Sequence, residues 1–312
     1  MPTPESQLAS TVLMIRPTRF ESNPMTAGSN VFQGRSTATP EEQQEAAILE
    51  FDVLVDALRS LGINVVVEND TSEPHTPDSI FPNNWVSFHG DGRVVLYPME
   101  AANRRTERRV EIIDRLANEH GFQVADVLDL TEHEAAEHYL EGTGSMVLDR
   151  SNRIAYACLS SRTQLDPLGD FAQQMDYDVV SFDAVDRDGV PIYHTNVVMN
   201  IGEVLAVICD EAIVRDEQRE AVLARLRASG HSIMHLKYDQ LDAFAGNMLE
   251  LLNSDGDRVL AMSTQAWDSL DATQRETLQK NAKIVCSPID NIESSAGGSV
   301  RCMLAEVHLP HS

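Results

Sequence analysis

Residues 196–208 read NVVMNIGEVLAVI, and residues 247–262 read NMLELLNSDGDRVLAM. Each is a run of β-favouring side chains that folds back on itself at a glycine or Asp-Gly turn, the signature of a hairpin. Two further stretches have the same form: NWVSFHGDGRVVLY over 84–97 and SMVLDRSNRIAYA over 145–157. Their starts at 84, 145, 196 and 247 are separated by 61, 51 and 51 residues, and a fifth start at Ser299 follows after 52. Self-similarity at this period marks a solenoid or a propeller. The fifth segment, Ser299–Leu304, has no returning strand after it. Thr11–Ile15 is expected to supply that strand and close the chain into a ring.

Helical patterns fill the gaps. Thr39-Pro40-Glu41 reads as an N-cap with proline at the first helical position, and the helix is expected to run to Ser60 and stop at Gly62. A second is predicted from Arg104 to His120, and Thr131-Glu132-His133-Glu134 reads as a capping box for a short one. Others are expected over 167–176, 215–229, 238–245 and 270–281. The stretch leading to Cys302 is read as free of helix. The fold class predicted is therefore α/β, with five strand-plus-helix modules in a circle. No low-complexity linker interrupts residues 1–312, which are read as one domain whose first ten or so residues are flexible.

Lys and Arg number 24 against 49 Asp and Glu, a formal charge of −25, and only Lys237, Lys280 and Lys283 are lysines. Nucleic acid is excluded as a partner, because its affinity rests on cations that neutralise phosphates. An anionic membrane surface is disfavoured for the same reason. No run approaches the roughly 20 apolar residues that span a bilayer, and the N-terminus has no basic start or long apolar run. Cys158, Cys209, Cys286 and Cys302 are widely spaced, with no CxxC pair, so neither a zinc site nor a disulfide framework is indicated. A cytoplasmic setting, no metal, no organic cofactor and a small-molecule substrate are expected. Homo-oligomerisation is left open.

In a ring of this kind the module starts converge on the axis, so equivalent positions of different modules meet in one site. Cys302 lies one turn beyond the start at Ser299, after Gly297-Gly298, whose lack of side chains lets backbone pass close to other groups. Glu141 precedes Gly142-Thr143-Gly144, and His194 precedes Thr195-Asn196. A cysteine nucleophile needs a base to take its proton, and the imidazole needs a third group to orient it. Cys302, His194 and Glu141 fit those three roles. Cys158 and Cys209 fall on returning strands and are read as core. Arg301 adjoins Cys302 but is assigned to the opposite face of a strand.

Module by module, the chain resembles the guanidino-modifying (pentein) superfamily: arginine deiminases, dimethylarginine hydrolases and amidinotransferases, which share a five-bladed α/β propeller. Glu141-Gly142-Thr143-Gly144 is similar to the family's Glu-Gly-Gly-Asp, His194-Thr195-Asn196 to its His-x-Asp, and Cys302 to its C-terminal nucleophile. Leu159-Ser160-Ser161-Arg162-Thr163 and Asn103-Arg104-Arg105 resemble the segments whose arginines bind the substrate carboxylate. Residues Pro77–Asn84 resemble Pro-Asp-x-x-Phe-x-x-Asp. The resemblance covers roughly residues 14–309.

Two positions depart from the family pattern. Asn84 and Asn196 stand where deiminases use carboxylates to hold a cationic guanidinium by charge-assisted hydrogen bonds. A carboxamide is neutral and offers both a donor and an acceptor, which suits a ureido group such as that of citrulline. The strings DSIFPNNW (78–85), EGTGSM (141–146), YHTN (193–196), AGNML (245–249) and GGSVRCM (297–303) look like the citrulline-utilisation hydrolases of the superfamily. That resemblance implies cleavage of citrulline to ornithine, ammonia and carbon dioxide through a covalent cysteine thioester. It implies that Arg104 and Arg162 hold the carboxylate, Asp78 accepts from a substrate nitrogen, and Asn84 and Asn196 orient the ureido group. Deiminase, dimethylarginine hydrolase or amidinotransferase chemistry, and a non-catalytic binding ring, stay open as alternatives.

Overall fold

Antiparallel strands can be joined by a tight turn, whereas parallel ones need a long crossover, usually a helix. The computed structural model, which describes residues 5–34 and 38–311, repeats that rule five times. The strands are β1 (Thr11–Arg16), β2 (Asn64–Asn69), β3 (Val86–Phe88), β4 (Arg93–Leu96), β5 (Asp126–Asp129), β6 (Met146–Asp149), β7 (Ile154–Cys158) and β8 (Asp178–Phe182). They continue with β9 (Met199–Ile201), β10 (Leu205–Ile208), β11 (Ser232–His235), β12 (Leu249–Leu252), β13 (Arg258–Ser263), β14 (Lys283–Ser287) and β15 (Ala305–Glu306). They form five three-stranded sheets: β3-β4-β5, β6-β7-β8, β11-β10-β9, β12-β13-β14 and β15-β1-β2. In each, a hairpin-like antiparallel pair is followed by a parallel strand, for example β6 to β7 antiparallel and β7 to β8 parallel.

A helix crosses between the two parallel strands of every blade: Pro40–Ser60, Val110–Asn118, Leu165–Met175, Asp216–Ala228, and the pair Thr264–Ser269 and Ala272–Asn281. The architecture is a five-bladed α/β propeller. Its closure is the one expected from the repeat. β15 pairs antiparallel with β1, so both chain ends share a blade. Apolar side chains of adjacent blades pack together, as Tyr156 of the second blade does in one cluster with Val207 and Met262 of the third and fourth.

Several local expectations are corrected. Ser299–Leu304 is not a strand: Val300–Met303 is a 3-10 turn and the strand is Ala305–Glu306. The same holds at other starts, where Pro82–Asn84, Gly142–Ser145 and Thr195–Val198 are single helical turns that precede the inner strands. These turns pack on one another at the centre of the ring, and a turn, unlike a strand, directs successive side chains around an axis. The stretch before Cys302 contains the helix Asp290–Ala296, ended by Gly297 in the left-handed region at φ 65°. The predicted helix 104–120 is split into a 3-10 segment Ala102–Glu107 and the helix Val110–Asn118. Thr131–Ala136 is a 3-10 turn without a side-chain cap, because Glu134 is recruited by Arg108 and by the Met99 backbone N–H.

The N-terminal segment makes contacts that its sequence did not announce. Residues 1–4 lie outside the described residues, but Glu5, Gln7, Leu8 and Ala9 are buried. Glu5 accepts from Gly90 N–H and Arg150, Gln7 donates to the carbonyls of Leu148 and Ile201, and the Ala9 carbonyl accepts from Leu252 N–H. Residues 5–9 thus touch four blades before β1 enters the fifth. No helix among the described residues is long and apolar enough to cross a membrane.

Candidate active site

The turns at the blade starts, together with the segments that follow β4 and β7, bring chemistry-bearing side chains to one narrow cavity. Its wall includes Asp78, Asn84, Arg104, Arg162, His194 and Cys302, six of the eight residues singled out in the sequence. Glu141 and Asn196 sit just behind it, fully buried. Glu141 and His194 each immediately precede a one-turn helix, whereas Cys302 lies within its own turn. The three positions correspond by element rather than residue by residue.

Glu141 faces the ring of His194. Its Oε2 is 2.9 Å from His194 Nε2 and 3.5 Å from the nearest guanidinium nitrogens of both Arg104 and Arg162. Burial works against its charge, but Arg162, the histidine hydrogen bond and Arg104 outweigh that and hold it well below the usual carboxylate range. With an ionised partner at Nε2, that nitrogen carries the proton and Nδ1 keeps the lone pair. Burial, helped by the two arginines, pushes His194 down to about 4 against the pull of Glu141. The imidazole is therefore neutral at pH 7, the form that accepts a proton. A Cβ at Gly144 would lie 2.7 Å from His194 Nδ1 and 2.4 Å from Asn84 Nδ2. Glycine is required there because its backbone is the floor on which both side chains rest.

The sulfur of Cys302 meets amides. The Nδ2 groups of Asn196 and Asn247 each stand 3.3 Å from Sγ, and Asn196 Oδ1 is buried without a partner. Asn196 therefore lies against the sulfur rather than on the cavity wall. Asn84 is on the wall, where its Oδ1 accepts from Arg104 and its Nδ2 donates to Asn83 Oδ1.

Arg104 makes two 3.0 Å bonds to Glu107 and lies 3.6 Å from Asp78. Burial opposes its charge, yet Glu107, Asp78 and Glu141 together raise its pKa further. Arg162 stacks 5.0 Å from the centre of the Tyr193 ring, donates to Ser29 Oγ and the Thr26 carbonyl, and pairs with Glu100. Asp78 Oδ2 accepts from Asn23, while its Oδ1 is buried and unpartnered on the wall. Two cationic forks, a free carboxylate oxygen, a base and a thiol in one small cavity suit an amino acid with a carbonyl-like carbon at its far end. Among the described residues no group of three or more His, Cys, Asp or Glu side chains gathers as metal ligands would.

Burial pushes the Cys158 and Cys209 thiols up to about 12, in keeping with core roles. Arg301 turns away to Glu306 and the Leu304 carbonyl. It avoids the thiol through a 3-10 turn, not through strand alternation. Asn247, Tyr193 and the loop residues Asn23, Thr26, Ser29 and Asn30 were not singled out. Asn247 was findable, since it stands 51 residues after Asn196 at the same point of the repeat. The loop had one signal, its length: a run of roughly 20 residues with no helix or strand pattern in a compact fold usually serves a site.

The family model described as N,N dimethylarginine dimethylhydrolase, eukaryotic, matches residues 16–309. No curated protein sequence matches the chain. Among solved structures, the apo form of ArgZ, a cyanobacterial arginine dihydrolase of the ornithine-ammonia cycle, superposes with a TM-score of 0.73 at 20% identity. That match covers 97% of this chain and 41% of the other. The isolated N-terminal domain of ArgZ bound to substrate gives 0.71 at 20% identity, over 96% and 99% of the two chains. A dimethylarginine dimethylaminohydrolase adduct with S-methyl-L-thiocitrulline gives 0.63 at 13% identity, over 96% and 99%. The chain thus spans less than half of full-length ArgZ and nearly all of its N-terminal domain.

Proposed function

The chain belongs to the N,N dimethylarginine dimethylhydrolase family of pentein enzymes, and on that premise we propose that it is a cysteine hydrolase of ureido compounds that converts citrulline to ornithine, ammonia and carbon dioxide. One observation carries the choice of substrate. The groups hydrogen-bonded to Cys302 Sγ are two neutral carboxamides, Asn196 and Asn247. A guanidinium brought to that sulfur calls for an anion beside it. A ureido carbon instead develops negative charge on oxygen as the thiol adds, and amide N–H groups stabilise that charge.

On this reading the reaction runs in two stages, formation and hydrolysis of a thioester. Nδ1 of His194 takes the thiol proton, and the thiolate adds to the ureido carbon. The imidazolium returns the proton to the first departing nitrogen as its C–N bond breaks, leaving a thioester on Cys302. Neutral His194 then takes a proton from water, hydroxide attacks the thioester, and carbamate leaves and decomposes. Glu141 keeps the imidazole in the productive tautomer throughout. Arg104 and Arg162 hold the substrate carboxylate, as guanidinium forks do, and Asp78 Oδ1 accepts from its amino group.

That same free oxygen of Asp78 favours a second reading, in which arginine enters and its guanidinium meets the carboxylate. Product analysis by mass separates the two. Ornithine formed from citrulline, and lost in Cys302→Ser with folding intact, supports the proposal. Citrulline accumulating from arginine, with citrulline itself inert, overturns it in favour of a deiminase.

A further inference from the structure

We propose that Asn247 is a positioning residue for the nucleophile, a switchable partner that accepts from the Cys302 thiol and donates to its thiolate. The proposal deepens the hydrolase reading above but does not depend on which substrate is cleaved.

Asn247 is fully buried, and its amide orientation is set by its neighbours. The Asn196 backbone carbonyl can only accept, and Asn247 Nδ2 donates to it at 2.9 Å. The second hydrogen of Nδ2 is left for Sγ at 3.3 Å, and Oδ1 stands 3.7 Å from the same sulfur. A thiol can donate to Oδ1, and a thiolate can accept from Nδ2, without the side chain turning. The surrounding backbone enforces the placement. A Cβ on Gly246 would lie 2.2 Å from the Val197 carbonyl, so the 244–247 segment is pressed onto the turn that carries Asn196. Two consecutive blades therefore deliver one amide each to the same sulfur, at a spacing of 51 residues.

A carboxylate at this position would oppose thiolate formation by like charge, and an apolar side chain would withdraw one N–H donor from the anion. Both effects appear in the pH dependence of alkylation. The test is the rate of iodoacetamide modification of Cys302 against pH, with the modified peptide identified by mass, in the unmodified protein, Asn247→Ala and Asn247→Asp. The expected result is an upward move of the midpoint by about one pH unit in Asn247→Ala and by more in Asn247→Asp. Below the midpoint the rate then falls about tenfold or more. Asn247→Asp also loses the bond to the Asn196 carbonyl, so Asn247→Ser, whose hydroxyl can still donate, is measured beside it with the same upward move expected, and decides the matter should the other two fail to fold. Midpoints unchanged in the folded variants, with only thermal stability reduced, would show that Asn247 merely ties the two blades together. Alkylation needs no substrate, so the role of Asn247 is tested even in a protein inert toward citrulline.

Discussion

Replacing Glu141 by glutamine exchanges one oxygen for nitrogen and removes the charge on which three neighbours rely. In the native site Nε2 of His194 donates to Glu141 Oε2 at 2.9 Å. In Glu141→Gln the new amide can turn its nitrogen toward the ring. Nε2 must then accept, and the proton moves to Nδ1, the atom that has to act as base. A carboxylate-to-amide change at the corresponding position of a serine triad lowers kcat by about 10⁴ for this reason. A loss of about 10³ to 10⁴ in kcat is expected here, with a smaller change in KM. Stability is affected as well, because Oε2 lies 3.5 Å from both Arg104 and Arg162. Breaking a buried ion pair costs about 3–5 kcal/mol. The lower end applies, since Arg104 keeps Glu107 and Arg162 keeps Glu100 and Ser29. Urea unfolding measures the second effect, and initial rates at saturating substrate measure the first. A folded variant with kcat within about tenfold of the parent would refute the assignment of Glu141 as the residue that fixes the tautomer.

Two further predictions concern stability. His194 and His89 both lie near 4 rather than 6.5, burial being the main cause in each. Between those values the unfolded chain binds protons that the folded one does not, so the contribution of these two rings to stability rises with pH across this window and is lost on acidification. Glu107 and Glu293, which burial pushes up to about 8 and about 7, act in the opposite sense over the same range. The histidines are therefore followed individually by proton NMR: both rings should stay neutral from about pH 7.5 down to about pH 5, and a ring that protonates near 6.5 would contradict its burial as a neutral imidazole. Burial opposes the charge of Glu5, but Arg150 and the His89 ring beside it outweigh it and hold the carboxyl well below the usual range. Glu5→Gln leaves the buried Arg150 with Glu306 at 3.7 Å as its remaining carboxylate. A loss of about 3 kcal/mol by urea unfolding is expected with kcat unaltered, whereas unchanged stability would show that the N-terminal segment adds nothing to closure of the ring.

Much of the architecture was legible because hairpins are local. The turn residues and β-rich flanks of 84–97, 145–157, 196–208 and 247–262 lie within a few residues of each other, and their near-even spacing exposed the ring. The first helix was equally plain, with Thr39 and Glu42 forming a capping box at the start that Thr39-Pro40 marks. What escaped was short and set by tertiary contacts. Single helical turns such as Thr195–Val198 contain β-branched residues that read as strand. They are helical because the crowded axis leaves room for a turn and not for an extended run. Residues 5–10 carry no strong periodic signal, so nothing local distinguished a buried strap from a loose end.

The site divides along the same line. Residue type, place in the repeat and the family resemblance singled out Cys302, His194 and Glu141, because a ring carries corresponding elements to one place. The chemical state of those groups was not in the sequence. That His194 is neutral depends on its burial and on two guanidiniums from the segments around residues 104 and 162. Asn196, expected to orient the ureido group, is likewise placed against the sulfur of Cys302, 106 residues away in the chain. Local sequence determines which elements form and how often they recur, since those preferences act over a few bonds. Electrostatic environment and hydrogen-bond partnership act through space, and only the closed ring decided them.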